Sequence, residues 1–241
     1  MLYYLKKLAA SCFYCMRFPC EVNQFFRKGQ IILATSRNRV QKMTHYALFI
    51  SIILLLGISP IGFLVLPFAS ITFVQIPVII GGAAFGWRGG IVFGFTFGLV
   101  SLIRCFLTPD AVASIVLGMS AYNLLLIIMV LFLPRVLTGL FSALVYKALP
   151  KKGNNNFLAS AVAGLVGSLT NTVFVIAGLY FFAYDSYTAA LGVAGQSKID
   201  VLGALMGVVG FNGLIEAAMA TLLCGLIGRA ISPFLKRLST L

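Results

Sequence analysis

Long apolar runs recur along the chain, and the short segments between them hold most of its charges. About 20 helical residues cross a hydrocarbon core of roughly 30 Å, and several of these runs reach that length. The runs do not alternate with a period of two, which argues against a transmembrane β-barrel. The pattern predicts an all-α integral membrane protein with six transmembrane helices, at about residues 44–64, 78–86, 89–107, 124–146, 157–182 and 201–228.

The segments outside these spans divide the chain into three parts. Residues 1–42 are basic and too polar to span, so we predict a cytoplasmic extension, which could lie on the anionic inner leaflet. An extension from an upstream start codon is the alternative for these residues. Residues 43–235 are predicted to form the transmembrane domain, and residues 236–241 a cytoplasmic tail. Residues 110–124 fit either a partly inserted loop or an early start of the fourth helix.

Composition and charge agree with a membrane protein. Hydrophobic residues make up 61% of the 241 residues and charged residues 10%, whereas about a quarter of an average soluble domain is charged. A net charge of +13 would suggest nucleic acid as the partner of a soluble protein. Here eight of the 18 cations precede residue 43 and most others flank apolar runs, which is a topology signal and not a nucleic-acid site. It predicts a multi-pass protein of the cell membrane with both termini cytoplasmic.

The sequence carries no metal-binding or enzyme signature. The pattern C-x2-C-x4-C at residues 12–20 offers three thiols, but a closed zinc site needs four ligands, and the only histidine, His45, lies far along the chain. H-E-x-x-H, G-x-S-x-G and the nucleotide-binding G-x-x-x-x-G-K-[ST] are also missing. We therefore predict no metal, no cofactor and no enzymatic activity, so that this chain does not hydrolyse ATP itself.

Polar residues inside the fifth and sixth spans need an explanation. Asn212 and Glu216 are four residues apart, hence on one helical face, and Ser168, Asn171 and Thr172 form a similar face on the preceding span. A carboxylate at mid-bilayer costs a few kcal/mol, so Glu216 must meet a partner, water or a ligand. A hydrogen bond between the two helices is one interpretation. The number of polar residues favours the other interpretation, a polar cavity that holds a solute.

Two arginines on other spans can contribute to this predicted cavity. Arg104 ends the third span near the outer surface, where it can either clamp a carboxylate or phosphate with two hydrogen bonds or extend to the lipid headgroups. Arg135 follows Pro134 inside an apolar run and is either an interfacial residue or a second charge of the cavity. For each arginine the sequence leaves both alternatives open.

Small residues recur at a spacing of four, which makes a smooth stripe on a helix and lets another backbone approach closely. The first span carries such a pair, Ala47 and Ser51. For the third and sixth spans we expect packing inside the protein to account for the stripes, which are Gly90, Gly94 and Gly98, and Gly203 and Gly207.

Several stretches together resemble one protein family. They are "PFASITFVQIPVIIGGAAFGWRGGIVFGFTFGLVSLIR", "LPRVLTGLFSALVY", "GSLTNTVFVIAGLYFF" and "NGLIEAAMA". With the basic N-terminus and the layout of the spans, they look like the S-components of energy-coupling-factor (ECF) vitamin transporters, over about residues 40–235. The resemblance implies a six-helix bundle that captures a small-molecule vitamin from outside. The pocket would lie near the outer surface and be closed by the loop between the first two spans.

The resemblance also implies partners. An S-component of this family assembles with a transmembrane scaffold subunit and two cytoplasmic ATPase subunits, and contacts the scaffold through Ala-x-x-x-Ala in its first span. Ala47 and Ser51 fall at that spacing, with serine in place of the second alanine. Because serine is also small, we expect these two residues to couple the chain to the scaffold.

The substrate is predicted from three short stretches. "PVIIGG", "VSLIR" and "TNTVFV" look closest to the pantothenate-type members, and pantothenate has a carboxylate, hydroxyls and an amide. Hydroxymethylpyrimidine, pyridoxine, folate, riboflavin and thiamine are alternatives within the family, a proton-coupled permease that uses Glu216 is an alternative outside it, and a subunit without a ligand is a third. The candidate substrate-binding residues are Thr72, Gln75, Arg104, Arg135, Asn171, Asn212 and Glu216.

Overall fold

A computed structural model describes residues 20–65, 70–107, 128–150, 156–182, 184, 188 and 198–233. The described residues up to His45 belong to one compact unit, and those from Tyr46 onward belong to another. The predicted domain limits at residues 42 and 235 stay predictions, and the ambiguous residues 110–124 lie outside the described part. The helices are α1 (Cys20–Ile58), α2 (Gln75–Leu107), α3 (Leu133–Ala148), α4 (Phe157–Phe182), α5 (Lys198–Leu205) and α6 (Phe211–Ala230).

Short elements of other types connect these helices. A 3-10 turn at Pro60–Gly62 leads into an antiparallel hairpin of β1 (Phe63–Val65) and β2 (Ser70–Thr72). The sequence pattern predicts only a loop there. Two π-helical segments directly precede α3 and α6, at Ile128–Phe132 and Met206–Gly210. The predicted sixth span is thus divided among α5, a π-helical segment and α6.

Five helical stretches of the described chain are long and apolar enough to cross a membrane. They confirm the predicted multi-pass, helical membrane protein. Only 17% of the first apolar stretch is buried, whereas 39% to 56% of the other four is, so the first stretch is the least covered. The five are Arg39–Ile58, Gln75–Leu107, Ile128–Ala148, Phe157–Phe182 and Phe211–Ala230.

The chain doubles back at Gly86, within α2. Gly86 has φ +73°, a conformation that residues with a side chain rarely adopt. A Cβ atom on Gly82 would lie 3.4 Å from the Cα atom of Gly90, although eight residues of straight helix extend about 12 Å. Residues 75–85 and 87–107 are therefore two helical segments packed against each other. They correspond to the predicted second and third spans.

An aromatic cluster packs α1 against both segments of α2. The ring centroid of Tyr46 lies 4.5 Å from that of Phe85 and 5.2 Å from that of Phe93. Phe49 reaches the same two rings at 6.0 and 5.5 Å. Tilted and edge-on contacts at such distances add to the apolar burial of the rings. The cluster fixes the end of the bundle at which α2 reverses.

Glycines allow the closest helix crossings. Gly90 of α2 and Gly139 of α3 face each other so closely that a Cβ atom on either would overlap the carbonyl oxygen of the other. Gly94 and Gly98 continue this contact, which confirms internal packing for the third predicted span. On Gly203 and Gly207 a Cβ atom would meet no atom of the described residues within 4 Å. Of the two stripes, internal packing is therefore seen for that of the third span and not for Gly203 and Gly207 in the described structure.

Candidate functional site

The buried carboxylate of Glu216 binds the edge of the hairpin. Glu216 is 5% exposed, and its Oε1 accepts a hydrogen bond from the backbone N–H of Thr72 at 2.8 Å. Thr72 is paired with Phe63 across the hairpin, and its N–H points away from β1. An unpaired strand-edge N–H is costly in an apolar environment. The carboxylate of α6 therefore satisfies a donor that β1 cannot reach.

The first segment of α2 begins beside this hydrogen bond. Residues 75–85 would extend about 16 Å, roughly half of a hydrocarbon core. The N-terminus of this segment carries a partial positive charge from the aligned peptide dipoles. Glu216 meets the chain at Thr72, just before Gln75 begins the helix. The carboxyl group is thus placed where the helix dipole favours a negative charge.

Two buried amide side chains lie close to this contact. Gln75 is 2% exposed, and its Nε2 donates to the Oγ of Ser168 at 3.5 Å, while its Oε1 has no hydrogen-bond partner in the described structure. Asn171, about one turn along α4 from Ser168, is 8% exposed, and its Oδ1 is likewise unpartnered there. Burying an unsatisfied acceptor costs about 1–3 kcal/mol, so these two acceptors are candidate hydrogen-bond partners for a ligand.

Contacts between α4 and α6 bring these residues together. A Cβ atom on Gly213 would overlap Thr172, and one on Gly164 would lie 2.6 Å from the carbonyl oxygen of Ala220. This antiparallel register puts Glu216 at the level of Ser168. Gln75 bonds to Ser168, Thr72 bonds to Glu216, and Asn171 lies about one turn along α4 from Ser168. We call these five residues the polar cluster: Thr72, Gln75, Ser168, Asn171 and Glu216.

Arg104 contacts β1, the strand of the hairpin that Glu216 does not bind. Its Nη1 donates to the carbonyl oxygens of Gly57 at 3.5 Å and Ser59 at 3.2 Å, and its guanidinium carbon lies 4.7 Å from the ring centroid of Phe63. Arg104 thus joins the C-terminal end of α1 to β1. A role of Arg104 in holding the carboxylate of a ligand stays a prediction.

The remaining two predicted residues lie at helix starts. Arg135 is near the beginning of α3, and its Nη1 donates to the carbonyl oxygen of Val130 in the preceding π-helical segment at 3.4 Å. Asn212 is the second residue of α6, half-buried and one turn before Glu216. Their binding roles also stay predictions. Four of the seven predicted residues, Thr72, Gln75, Asn171 and Glu216, therefore belong to the polar cluster.

Sequence reasoning missed two features of this site. Ser168 lies on the polar face that the sequence indicates for the fifth span, but the candidate set omits it, although its spacing to Asn171 carried the signal. The contact of Thr72 uses its backbone N–H and not its side chain. A pattern of side chains cannot reveal that contact, because it depends on a hairpin whose pairing is set by tertiary structure.

A large groove of the described chain lies elsewhere. It has a volume of about 830 Å³ and runs between α4 and the segment formed by α5, the second π-helical segment and α6. Its lining is almost entirely apolar, and many of its side chains, such as Val173 and Leu214, are exposed. In a membrane helix such exposed apolar side chains suit lipid contact. This groove has the wrong chemistry for a polar solute, so we place the candidate site at the polar cluster.

Titratable residues do not gather into a metal site in the segments that the structure describes. No three histidine, cysteine, aspartate or glutamate residues come together there. Cys105 on α2 and Cys224 on α6 are buried, and neither forms a disulfide in the described structure. The chemistry of the polar cluster is therefore hydrogen bonding by amide, hydroxyl and carboxylate groups.

The exposed face of α1 is a second candidate site. Ala47 and Ser51 are both exposed on it, and the Oγ of Ser51 donates to the carbonyl oxygen of Ala47 at 2.8 Å, so its polar group is satisfied within the helix. The large apolar side chains around this pair are also exposed, with Leu48 at 50% and Leu55 at 72%. This small and apolar face, which we call the α1 face, is suited to close contact with another helix.

The fold and the polar cluster define a multi-pass membrane protein that holds polar groups inside its bundle. The family model described as "ECF transporter, substrate-specific component" matches residues 41–228. The chain belongs to this family. It is a component of a transporter and not an enzyme.

Two curated proteins are similar to the chain over most of its length. The pantothenate transporter PanT of Leuconostoc mesenteroides subsp. mesenteroides is 26% identical over 211 residues, which cover 84% of this chain and 97% of that protein. The pantothenic acid transporter PanT of Lactococcus lactis subsp. cremoris is 29% identical over 170 residues, which cover 67% of this chain and 77% of that protein.

Proposed function

We propose that this chain is the pantothenate-binding component of an ECF-type importer and binds the vitamin at the polar cluster. Membership of the substrate-specific family and the names of the two relatives support this substrate. The observation that carries the site is the pair of buried, unpartnered acceptors Gln75 Oε1 and Asn171 Oδ1 beside a buried carboxylate. Such a site favours a ligand that donates hydrogen bonds.

The hydrogen-bond acceptors of the polar cluster determine which part of the vitamin would bind at this cluster. Hydroxyl and amide groups donate hydrogen bonds, and pantothenate carries both. Its carboxylate is an acceptor and would be repelled by Glu216. We therefore assign the hydroxyl and amide portion to the polar cluster and place the carboxylate away from it. The sequence offers Arg104 as a partner for that carboxylate, but its bonds to the carbonyl oxygens of α1 and its contact with the Phe63 ring favour a structural role. Asn212 and Arg135 are the further contacts in this proposal.

We further propose six membrane passes with both termini in the cytoplasm. The reversal at Gly86 supports this count, because it makes two helical segments of α2. The excess of cations before residue 43 supports the orientation. In this orientation the hairpin lies on the outer side of the polar cluster, so the vitamin would approach from outside and meet the hairpin first.

Transport requires partners in this proposal. The chain carries no nucleotide-binding motif, so ATP hydrolysis would come from two cytoplasmic ATPase subunits joined to a membrane scaffold subunit. The α1 face, with Ala47 and Ser51 at its centre, is the proposed contact with that scaffold. Its exposure and its small residues support this assignment.

A thermal-shift screen of the purified chain tests the substrate. A ligand that binds only the folded state adds about 2.7 kcal/mol of stability at a hundredfold excess over Kd. We expect pantothenate to raise the melting temperature more than hydroxymethylpyrimidine, pyridoxine, folate, riboflavin or thiamine. A larger shift with one of the other five would replace pantothenate as the substrate. If none of the six compounds shifts the melting temperature, a subunit without a vitamin ligand is the better account.

A further inference from the structure

The hairpin is attached to the rest of the protein on both sides of a single cross-strand pair. Phe63 of β1 and Thr72 of β2 face each other in the ladder. The Thr72 N–H is bound by Glu216 of α6, and the ring of Phe63 lies under the guanidinium of Arg104. A two-stranded hairpin with strands of three residues has little stability of its own. Its position therefore depends on these two attachments.

Arg104 is well suited to anchor the hairpin to α1. The carbonyl groups in the last turn of a helix lack partners within the helix, and a cation at that end is favoured by the helix dipole. Arg104 binds the carbonyl oxygens of Gly57 and Ser59 at this end of α1. A Cβ atom on Gly57 would overlap Val100, so α1 is packed tightly against α2 just below Arg104. Arg104 is thus held by both α1 and α2, and this fixes its guanidinium against the ring of Phe63.

We propose that Arg104 is a positioning residue for substrate capture. It holds the hairpin over the polar cluster through Phe63, and the Phe63–Thr72 pair passes that constraint to the Thr72–Glu216 hydrogen bond. Capture then depends on Arg104 without contact between Arg104 and the vitamin. This inference rests on the proposed function, because it takes the polar cluster as the vitamin site.

Hydrogen exchange of the ligand-free protein tests the anchor without any vitamin. We expect Arg104→Met to speed exchange of the backbone amides at residues 63–65 and 70–72 by about tenfold, the equivalent of one lost hydrogen bond. Amides of α4 and α6 should exchange as in the wild type. Arg104→Lys keeps the charge at the end of α1 and should restore most of the protection. Arg88→Met is the matched control, because Arg88 also stacks on a ring, that of Trp87 at 5.2 Å, but lies at the Gly86 turn.

Binding kinetics test the consequence for capture. With Arg104→Met, the dissociation rate of pantothenate should rise about tenfold while the association rate changes little, because the site stays intact and only its cover is loosened. Arg104→Lys should lie close to the wild type. Unchanged hairpin exchange in Arg104→Met, or faster exchange throughout all helices, would overturn the positioning role. Weaker binding with unchanged hairpin exchange would also overturn it, in favour of direct contact with the vitamin.

The exchange and binding experiments together distinguish failure of this inference from failure of the proposed function. If the wild type binds none of the six vitamins, the proposed function fails, while the exchange experiment still decides whether Arg104 holds the hairpin. If the wild type binds pantothenate and Arg104→Met changes neither exchange nor dissociation, the proposed function stands and the positioning role is wrong.

Discussion

Glu216 and Thr72 are 144 residues apart in the chain, and the carboxylate of the first accepts a hydrogen bond of 2.8 Å from the backbone N–H of the second. This contact gives a charged residue inside an apolar helix a structural partner. It also joins α6 to the hairpin that precedes α2. The same carboxylate lies in the polar cluster, so it has both a structural contact and a proposed role in binding.

Two substitutions of Glu216 separate these roles. Glu216→Leu removes the acceptor for the Thr72 N–H and should lower the free energy of unfolding by about 1–3 kcal/mol. Glu216→Gln keeps an acceptor and the shape of the side chain, so it should retain most of the stability yet bind pantothenate more weakly by about 1–3 kcal/mol. Denaturant unfolding in detergent and titration calorimetry measure the two effects.

Thr221→Val is the control for the Glu216 series. Thr221 is on the same helix, and its hydroxyl donates only to the carbonyl oxygen of Ala217, at 2.6 Å. We expect this variant to bind pantothenate as the wild type does. Equal stability of Glu216→Leu and Glu216→Gln would contradict the structural role of the carboxylate.

Gly86→Ala should destabilise the fold, because Gly86 has φ +73°. Holding a non-glycine residue in such a conformation costs about 1–3 kcal/mol. Gly203→Ala is the matched control, since a Cβ atom on Gly203 meets nothing within 4 Å in the described structure and alanine favours a helix. Thermal unfolding of both variants measures the difference. If Gly86→Ala melts at or above the temperature of Gly203→Ala, the reversal at Gly86 is wrong.

How far the sequence predicts this fold depends on the kind of signal each element carries. Apolar runs predict the helices well, because length and hydropathy alone determine whether a segment can span a membrane. The separation of residues 75–85 from 87–107 was also readable, since the glycine-rich stretch around Gly86 ends a short apolar run. The hairpin was not, because its strands of three residues leave no periodic pattern.

Some residues of the candidate site can also be predicted from the sequence, and others cannot. Asn171 and Glu216 stand out in the sequence because polar side chains are expensive inside apolar helices. The contact of Arg104 with Phe63 and the end of α1 could not be foreseen, because it joins residues that only the folded chain brings together. Such contacts follow from the packing of α1 on α2, which local patterns do not encode.

The α1 face predicts a separation of binding from transport. Ala47→Leu and Ser51→Leu place a bulky side chain on an exposed surface, so pantothenate binding by the isolated chain should be unchanged within about 0.5 kcal/mol. Assembly with the scaffold subunit and vitamin uptake should be lost, because close helix contact is blocked. Val173→Leu, at an exposed position of α4, is the control and should assemble normally. Loss of binding with normal assembly would mean that the stripe packs inside the chain.

Proteoliposomes that contain this chain alone should bind pantothenate and fail to accumulate it. The reason is that the chain has no nucleotide-binding motif. Uptake assays with an imposed proton gradient, with and without the scaffold and ATPase subunits, measure this. Accumulation by the chain alone would favour a proton-coupled permease, with Glu216 as the proton site.

The most direct test of the polar cluster as the pantothenate site is titration calorimetry of Asn171→Leu, combined with its unfolding curve. In the part of the chain that the structure describes, Asn171 Oδ1 is buried without a partner, so an apolar side chain of similar size should leave the free energy of unfolding unchanged or raise it. The same variant should bind pantothenate about tenfold more weakly, the equivalent of one lost hydrogen bond. Wild-type affinity in Asn171→Leu, or weaker binding that only accompanies a loss of stability, would contradict the account.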